Sequence, residues 1–392
     1  MPEPLFTRRF LGLWVFAFIT FFSAFQLLPA IPFRILQLGG SKAMAGLFLT
    51  VYTLASAISA PIMGTIADHV GRKRLLITAS FLFIVFSLLY GVITWIPLLL
   101  LVGMVHGTLW SGLLSSASAI MSEFIPDSRR TEGLAYWGLA GTAAIAIAPA
   151  VGLLVFTYGW LALCGEMAAL SVVMLIWSSK LPVVETAAGQ GFPSLRDAWD
   201  WSVIRATLAM AVIAFGYGGV TSYAAILSVE RKIRPASLFF TVFAVVVVLV
   251  RVFTSRLGDR LGPKAILYPS FAAIPISFAV LAVADSRPEL IVSGILFGIG
   301  MGGAWPAFTT YVLIHSDPRR RARTFGSIVG AFDTGIAMGS LVIGTVAQRY
   351  GFTAAFGIAA GLSCLAIPIF MGASRMMTSP LGTDVAQSPP HG

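Results

Sequence analysis

Between two long apolar runs stands the sequence Gly64-Thr65-Ile66-Ala67-Asp68-His69-Val70-Gly71-Arg72-Lys73-Arg74. Its three closing basic residues are typical of a loop on the cytoplasmic side of a membrane. Gly71 permits a tight turn, because glycine adopts backbone conformations that other residues avoid. Gly64 would allow a second helix to approach closely. The segment is therefore predicted to form a short cytoplasmic turn between two membrane-spanning helices.

The chain around this turn is too apolar for a water-soluble fold. Of its 392 residues, 57% are hydrophobic and only 11% are charged, whereas soluble domains carry roughly 25% charged residues. Lipid cannot hydrogen-bond to free peptide groups, so apolar runs of about 20 residues are predicted to be helices. Twelve such runs occur, at approximately 10–37, 43–66, 75–95, 98–122, 132–156, 160–180, 203–228, 237–255, 265–284, 289–314, 324–347 and 352–373.

The distribution of charge predicts the orientation of these spans. A net charge of +10 would suggest a nucleic-acid partner for a soluble protein, but the basic residues lie in short loops. With a cytoplasmic N-terminus, eighteen basic residues fall on the inner side and seven on the outer side, as the positive-inside rule requires. We therefore expect a monomer in a bacterial inner membrane, surrounded by lipid, with both termini cytoplasmic and no nucleic-acid partner.

An internal repeat divides the spans into two halves. Residues 47–52 resemble residues 238–243, and residues 68–71 resemble residues 259–262, both at an offset of 191. Tyr158-Gly159-Trp160 matches Tyr350-Gly351-Phe352 at 192. Because six spans separate the copies, both halves enter the bilayer in the same direction, which is a parallel repeat.

The predicted fold class is therefore an all-α membrane protein with twelve transmembrane helices in two six-helix bundles. The stretch between the sixth and seventh spans contains proline, glycine and charged residues, which mark the boundary between halves. The predicted domains are residues 1–182 and 201–375, with a cytoplasmic linker at 183–200 and a disordered tail at 376–392.

The turn at residues 64–74 resembles motif A of the major facilitator superfamily, G-x-x-x-D-x-x-G-R-R/K, and a degenerate second copy lies at residues 256–264. The resemblance covers about residues 8–375 and implies that the motif latches the second span to the eleventh when the protein opens outward. Arg321 and Arg323 are candidate partners, and a purely topological role for the basic residues remains an alternative. The latch residues would be Gly64, Asp68, Gly71, Arg72, Lys73, Asp259 and Gly262.

Two further patterns resemble those of the drug and sugar efflux branch. Pro29 and Pro32 form a P-x-x-P pattern similar to that of proton-driven exporters. Glycines of the fifth span and Pro149 resemble the glycine-rich motif C of antiporters, although Ala148 and Leu153 stand where that motif has glycine. These glycines could equally serve helix packing alone.

Three ionisable residues lie deep within predicted spans. Arg251 and Asp333 are at similar depth in the eighth and eleventh spans, which suggests an ion pair, since an unpaired charge there is costly. Asp333 is also a candidate for exchanging protons, and Arg251 for attracting an anionic substrate. Glu166, in the sixth span, is predicted to be hydrogen-bonded or protonated.

The resemblance also implies which spans line a central substrate cavity. His106 and Trp110 are four residues apart on one face of the fourth span, although His106 could instead be a hydrogen-bonded packing group. Aromatic side chains with few fixed charges suit neutral or amphipathic organic molecules. The other candidate cavity residues are Gln26, Tyr217, Tyr223 and Trp305. Arg34 and Glu230, near the outer ends of the first and seventh spans, could form an outer gate pair or be solvated surface charges.

The sequence thus predicts a secondary active transporter that moves a small organic solute by alternating access, through proton-coupled efflux. A proton-coupled symporter importing a sugar or organic acid is an alternative within the same fold. A membrane enzyme acting on lipid is disfavoured, because the two cysteines and four histidines of this chain form no nucleophile–base set or metal-ligand pattern. A receptor or scaffold would need a soluble module. No cofactor or metal is expected, and without an ATP-binding loop the energy would come from an ion gradient.

Overall fold

Every predicted apolar run forms a helix in the computed structural model, which describes residues 5–181, 200–317 and 321–377. The helices end where polar residues, glycine or proline interrupt the apolar runs. Their bounds are α1 Arg8–Gln37, α2 Lys42–Val70, α3 Arg72–Val92, α4 Ile96–Phe124, α5 Arg130–Phe156, α6 Trp160–Lys180, α7 Ile204–Glu230, α8 Leu238–Leu261, α9 Pro263–Val283, α10 Arg287–Ile314, α11 Arg321–Cys364 and α12 Ala366–Met376.

These helices make twelve crossings. Among the described residues, nine helices are individually long and apolar enough to span a membrane. The stretch Arg323–Met376 has 54 residues, enough for two spans, and the chain turns between them at Gly351. The eleventh span is therefore residues 321–350, and the twelfth continues from residue 352 through α12. The remaining span is α8, whose apolar part is Leu238–Arg251. The predicted twelve-helix fold is confirmed.

Glycines with positive φ make the tight turns, and they recur at the spacing of the repeat. Gly71 has φ +98° and joins α2 directly to α3, as the sequence predicts, while Gly262 has φ +79° between α8 and α9. Gly159 and Gly351 have φ +115° and +80° at the starts of the sixth and twelfth spans. A side chain at any of these positions would be strained.

Two bundles of six helices pack against each other with related contacts. In the first bundle α1 packs on α5, α2 on α4 and α3 on α6, and in the second α7 packs on α11 and α8 on α10. Between the bundles α2 contacts α11, α5 contacts α8, and α1 contacts α7. Exchanging each helix with its repeat partner maps these contacts onto each other, as expected for an axis along the membrane normal.

The repeat extends to individual glycine contacts. A Cβ atom at Gly107 of α4 would overlap the backbone carbonyl of Tyr52 on α2. At the equivalent position of the second bundle, a Cβ atom at Gly298 of α10 would lie 3.3 Å from the carbonyl oxygen of Phe243 on α8. Small residues let these helix pairs approach closely without a hydrophobic driving force from water.

The predicted linker at 183–200 and tail at 376–392 fall almost wholly outside the described residues. Of the linker only Asp200 is described, and of the tail only Met376 and Met377.

Candidate functional site

A cavity of about 50 Å³ lies between the two bundles. It is walled by α1, α2 and α4 of the first bundle and by α7 and α11 of the second. Its volume suits a few water molecules, whereas pockets for organic solutes measure about 300–1,000 Å³. The bundles must therefore separate before a solute can enter. The lining residues are Ala24, Phe25, Leu28, Leu49, Tyr52, Thr53, Ser56, Trp110, Tyr217, Thr221, Asp333 and Ile336.

Asp333 is the one carboxyl among the described residues that line this cavity. It sits on the eleventh span, two residues before Gly335, whose missing side chain lets the span pack against the backbone of Ala211 on α7. An ionised carboxylate is costly in such surroundings unless it is paired. The exchange of protons by Asp333 stays a prediction.

Trp110 and Tyr217 lie at the cavity, where the sequence places them, and aromatic rings support both. The Trp110 ring meets Phe21 edge-on, with centroids 5.0 Å apart. Tyr217 packs between Phe297 and Phe332, with centroid distances of 5.8 and 5.7 Å. Their contact with a substrate stays a prediction.

Gln26 points away from the cavity, contrary to expectation. It is fully buried and packs on Gly152 of α5, with its amide beside the Glu166 carboxyl of α6. In the described part of the chain neither amide atom of Gln26 completes a well-formed hydrogen bond, and nor does Glu166 Oε2. The expectation that Gln26 lines the cavity is wrong for this conformation, because α1 turns this face towards its own bundle.

His106 lies inside the first bundle rather than at the cavity. Its Nδ1 is 3.1 Å from the Tyr90 hydroxyl oxygen, and its ring centroid is 4.3 Å from that of Phe83. The cavity assignment is therefore wrong here, since α4 presents Trp110 to the cavity and His106 to α2 and α3.

Tyr223 and Trp305 also lie off the cavity lining. Tyr223 is fully buried between the bundles and donates from its hydroxyl to the Lys42 carbonyl at 2.6 Å. Trp305 contacts Phe332 edge-on, with centroids 4.8 Å apart. Both residues stand on the predicted helices but outside this cavity.

Arg251 joins the two bundles through a neutral partner. Its Nη2 donates to the Thr142 hydroxyl of α5 at 3.2 Å. Arg251 and Asp333, both within the described residues, form no ion pair, so the predicted pairing of the eighth and eleventh spans is wrong for this conformation. Equal depth does not place two side chains on facing surfaces, and Arg251 faces the other bundle.

An ion pair and several hydrogen bonds join the start of α2 to the second bundle, and we call this contact the Lys42 seam. Lys42 Nζ pairs with Glu230 of α7 at 2.8 Å, and its backbone N–H donates to the Gln348 side-chain oxygen at 3.0 Å. Further along, Ser340 donates to the Gly46 carbonyl at 3.0 Å and Thr50 to the Ala337 carbonyl at 2.7 Å. The seam comprises Lys42, Gly46 and Thr50 against Tyr223, Glu230, Ala337, Ser340 and Gln348.

The contacts of the Lys42 seam differ from the predicted outer gate. Glu230 pairs with Lys42, while the Arg34 guanidinium lies over the Trp160 ring at 5.9 Å within the first bundle. The predicted pairing of Arg34 with Glu230 is therefore wrong. Sequence reasoning missed Lys42, although its place at the start of the second span, on the side of Glu230, was a usable signal.

At the opposite end of α2, the residues of motif A contact one another within the first bundle. Asp68 accepts from Arg72 Nη2 at 3.0 Å, and Arg72 Nη1 reaches Glu123 of α4 at 2.8 Å. A Cβ atom at Gly64 would have no described neighbour within 4 Å, and the same holds for Gly326 on the eleventh span. Within the described part of the chain, Gly64 is thus not in close contact with another helix, contrary to expectation for the motif.

Other latch candidates lie at turns and at the starts of helices. Lys73 follows Arg72 on the first turn of α3, Gly262 makes the equivalent turn, and Arg323 is exposed. The side chains of Asp259 and Arg321 lie outside the described residues, and their part in a latch stays a prediction.

Within residues 5–181, 200–317 and 321–377, no group of three His, Cys, Asp or Glu side chains could hold a metal ion.

Similar proteins place the chain in a family. The family model of the Major Facilitator Superfamily matches residues 13–234 and 206–384. Multidrug resistance protein MdtG of Serratia proteamaculans (strain 568) is 25% identical over 374 residues, covering 90% of each chain. MdtG of Klebsiella pneumoniae (strain 342) is 24% identical over 370 residues, covering 89% of each.

A solved structure shares the architecture. The crystal structure of nucleoside transporter NupG superposes with a TM-score of 0.75 at 17% identity, covering 94% of this chain and all of that one. At this identity the likeness concerns the fold alone. The family match, the twelve helices and the cavity between the bundles all indicate a transporter of this family. The chain belongs to the Major Facilitator Superfamily and is a multi-pass membrane protein that acts as a secondary transporter of a small molecule.

Proposed function

We propose that this protein exports a small amphipathic organic solute in exchange for protons, and that Asp333 is the group that carries the proton. The observation that carries the proposal is the position of Asp333, a carboxyl in a cavity otherwise lined by aromatic, aliphatic and hydroxyl side chains. Ionisable residues inside a membrane protein commonly mark proton pathways. The names of the MdtG relatives, multidrug resistance proteins, favour export of organic compounds.

The proposal includes an orientation. With both termini in the cytoplasm of a bacterial cell, the Lys42 seam lies on the periplasmic side of the inner membrane and motif A on the cytoplasmic side. The seam would then close the periplasmic entrance, and the structure would correspond to a state closed to the outside. Alternating access would require the seam to open while the motif A ends of α2 and the eleventh span come together.

The test is transport in proteoliposomes under an imposed pH gradient. Purified protein is reconstituted and offered a panel of amphipathic cations, neutral drugs, sugars and organic acids. We expect amphipathic compounds to move against the direction of proton flow, and Asp333→Asn to remove at least nine-tenths of the gradient-driven rate. Thr309→Val is a suitable control, because it alters a buried hydroxyl on α10 that does not line the cavity.

Two results would contradict the proposal. Full gradient-driven transport by Asp333→Asn would remove this carboxyl from proton coupling. Movement of a sugar or organic acid in the same direction as protons would identify a symporter instead.

A further inference from the structure

Three polar side chains form a buried group behind one wall of the cavity. Tyr52, Tyr90 and His106 are 4%, 0% and 2% exposed, and they belong to α2, α3 and α4. His106 Nδ1 meets the Tyr90 hydroxyl at 3.1 Å. Within the described residues, His106 Nε2 and the Tyr52 hydroxyl have no hydrogen-bond partner. Buried polar atoms without partners are unfavourable, so this group needs an explanation.

The second bundle shows that the same position can be filled without polar atoms. At the repeat offset of 191, Tyr52 corresponds to Phe243 and His106 to Phe297. The Tyr52 and His106 rings have centroids 5.2 Å apart, and the Phe243 and Phe297 rings 5.1 Å apart. Leu281 occupies the position that corresponds to Tyr90.

The equivalent sites of the two bundles show which part of this arrangement packing requires. Both bundles place two rings at this position with nearly the same centroid distance, and only the first bundle uses polar side chains. An apolar core of this shape is therefore available to the fold and would avoid the unpaired atoms. Packing alone does not account for polar residues at these positions.

Tyr52 is the member of the group that reaches the cavity. It lines the cavity together with Asp333, although its hydroxyl makes no hydrogen bond to this carboxyl or to another described residue in this structure. On its other side the Tyr52 ring packs on His106. Tyr52 thus stands between the carboxyl of the second bundle and the His106–Tyr90 pair of the first.

We infer that Tyr52 is a positioning residue for Asp333, held in place by the His106–Tyr90 pair. This inference rests on the proposed role of Asp333 in proton coupling. A tyrosine hydroxyl donates a stronger hydrogen bond to an ionised carboxylate than to a protonated carboxyl. In this structure the Tyr52 hydroxyl makes no hydrogen bond to a described residue, which corresponds to the released arrangement. Once Asp333 has lost its proton, Tyr52 donates to the carboxylate and holds α2 to the eleventh span.

The titratable groups around this site come from several helices. Tyr90 of α3 and Tyr52 of α2 face His106, and Cys164 of α6 lies beyond Tyr90. Asp333 of the eleventh span faces Tyr52 across the cavity. The other rings against His106 are the apolar Phe83 and Phe86.

The decisive variant is Tyr52→Phe, which removes one oxygen atom and copies the second bundle. Loss of a buried hydroxyl without a partner should leave the unfolding temperature unchanged or raise it. If Tyr52 positions Asp333, gradient-driven transport should fall about tenfold. The pH of half-maximal transport should rise by about one unit, because the ionised carboxylate loses a hydrogen-bond donor. His106→Phe should shift the pH profile in the same direction, and the double variant should match Tyr52→Phe alone, because His106 acts through Tyr52.

Tyr311→Phe is the matched control, since Tyr311 is a buried tyrosine stacked on a histidine, His315, at 4.2 Å in the second bundle. It should keep the wild-type rate and pH profile. A wild-type profile in Tyr52→Phe, or an equal shift in Tyr311→Phe, would overturn the inference. If Asp333→Asn abolishes proton-driven transport while Tyr52→Phe is normal, only this inference is wrong. If Asp333→Asn is fully coupled, the proposed function falls as well.

Discussion

At the scale of single residues, Lys42 makes several kinds of contact between the bundles. Its ammonium pairs with Glu230 and lies 4.4 Å from the centroid of the Phe352 ring, while its backbone contacts Tyr223 and Gln348. The Glu230 side chain is 46% exposed, so the ion pair itself contributes only about 0–1 kcal/mol. The ion pair is therefore a weak part of the seam, and the buried hydrogen bonds of Thr50 and Ser340 supply the rest.

Replacing Lys42 by glutamine should favour the conformation in which the seam is open. Loss of up to about 1 kcal/mol corresponds to a shift of up to about fivefold in the population ratio. The measurement is the rate at which a membrane-impermeant maleimide, added from the Lys42 side, labels Thr221→Cys in a chain whose Cys164 and Cys364 are replaced by alanine. Lys232→Gln, an exposed lysine on the same side, is the control and should label at the unmodified rate. Unchanged labelling in Lys42→Gln would show that the ion pair does not hold the seam.

Gly107 offers a second prediction, on stability. Its Cβ would overlap the Tyr52 backbone, so Gly107→Ala should force α2 and α4 apart and cost about 1–3 kcal/mol. Thermal unfolding in detergent measures the change. Gly165→Ala is the control, because a Cβ atom there meets no described atom within 4 Å. If both variants unfolded at the same temperature, the close approach of α2 to α4 would be in doubt.

At the scale of helices, sequence patterns predict positions along a helix well and rotation about its axis poorly. The ends of the spans and the turns at Gly71 and Gly351 follow from glycine and from the ends of the apolar runs. The facing direction of Gln26, His106 and Arg251 does not follow, because lipid and protein interior are both apolar. A helix in a membrane therefore lacks the polar face that marks the outside of a soluble helix.

The register of α2 against the eleventh span yields a prediction about their movement. Gly46 contacts Ser340 and Thr50 contacts Ala337, and continuing this antiparallel register places Gly64 opposite Arg323. Cysteines at positions 64 and 323 should cross-link poorly in this conformation and readily when the Lys42 seam is open. The comparison is cross-linking in Gly64→Cys/Arg323→Cys with and without Lys42→Gln. Equal yields in the two backgrounds would contradict a coupled movement of the two helix ends.

At the scale of the whole molecule, the repeat makes the two bundles similar in packing and different in chemistry. Both use glycine to bring the equivalent helix pairs together, and both turn at equivalent glycines. The cavity between them is not symmetric, because the second bundle contributes the carboxyl of Asp333 and the first contributes Tyr52 and Trp110. The architecture was predictable from the repeat, whereas the pairing of side chains across the cavity depends on helix rotation and was not.

This asymmetry predicts how the molecule responds to pH. If an ionised Asp333 accepts a hydrogen bond from Tyr52, as inferred above, protonation of Asp333 removes this contact between the bundles, while the separate contact at the Lys42 seam is unaffected directly. Lowering the pH should therefore increase the share of molecules with an open seam, and raising it should favour the closed seam described here.

Spin labels at Lys232→Cys and Arg349→Cys, both exposed near the seam on the second bundle, would serve as the reference pair. A label at Gln37→Cys, an exposed position at the outer end of α1, should move away from Lys232→Cys as the pH falls. The distance within the reference pair should stay constant, and Asp333→Asn should show the low-pH distance at every pH. A pH-independent distance between the bundles in the unmodified transporter would break the link between the carboxyl in the cavity and the movement of the bundles.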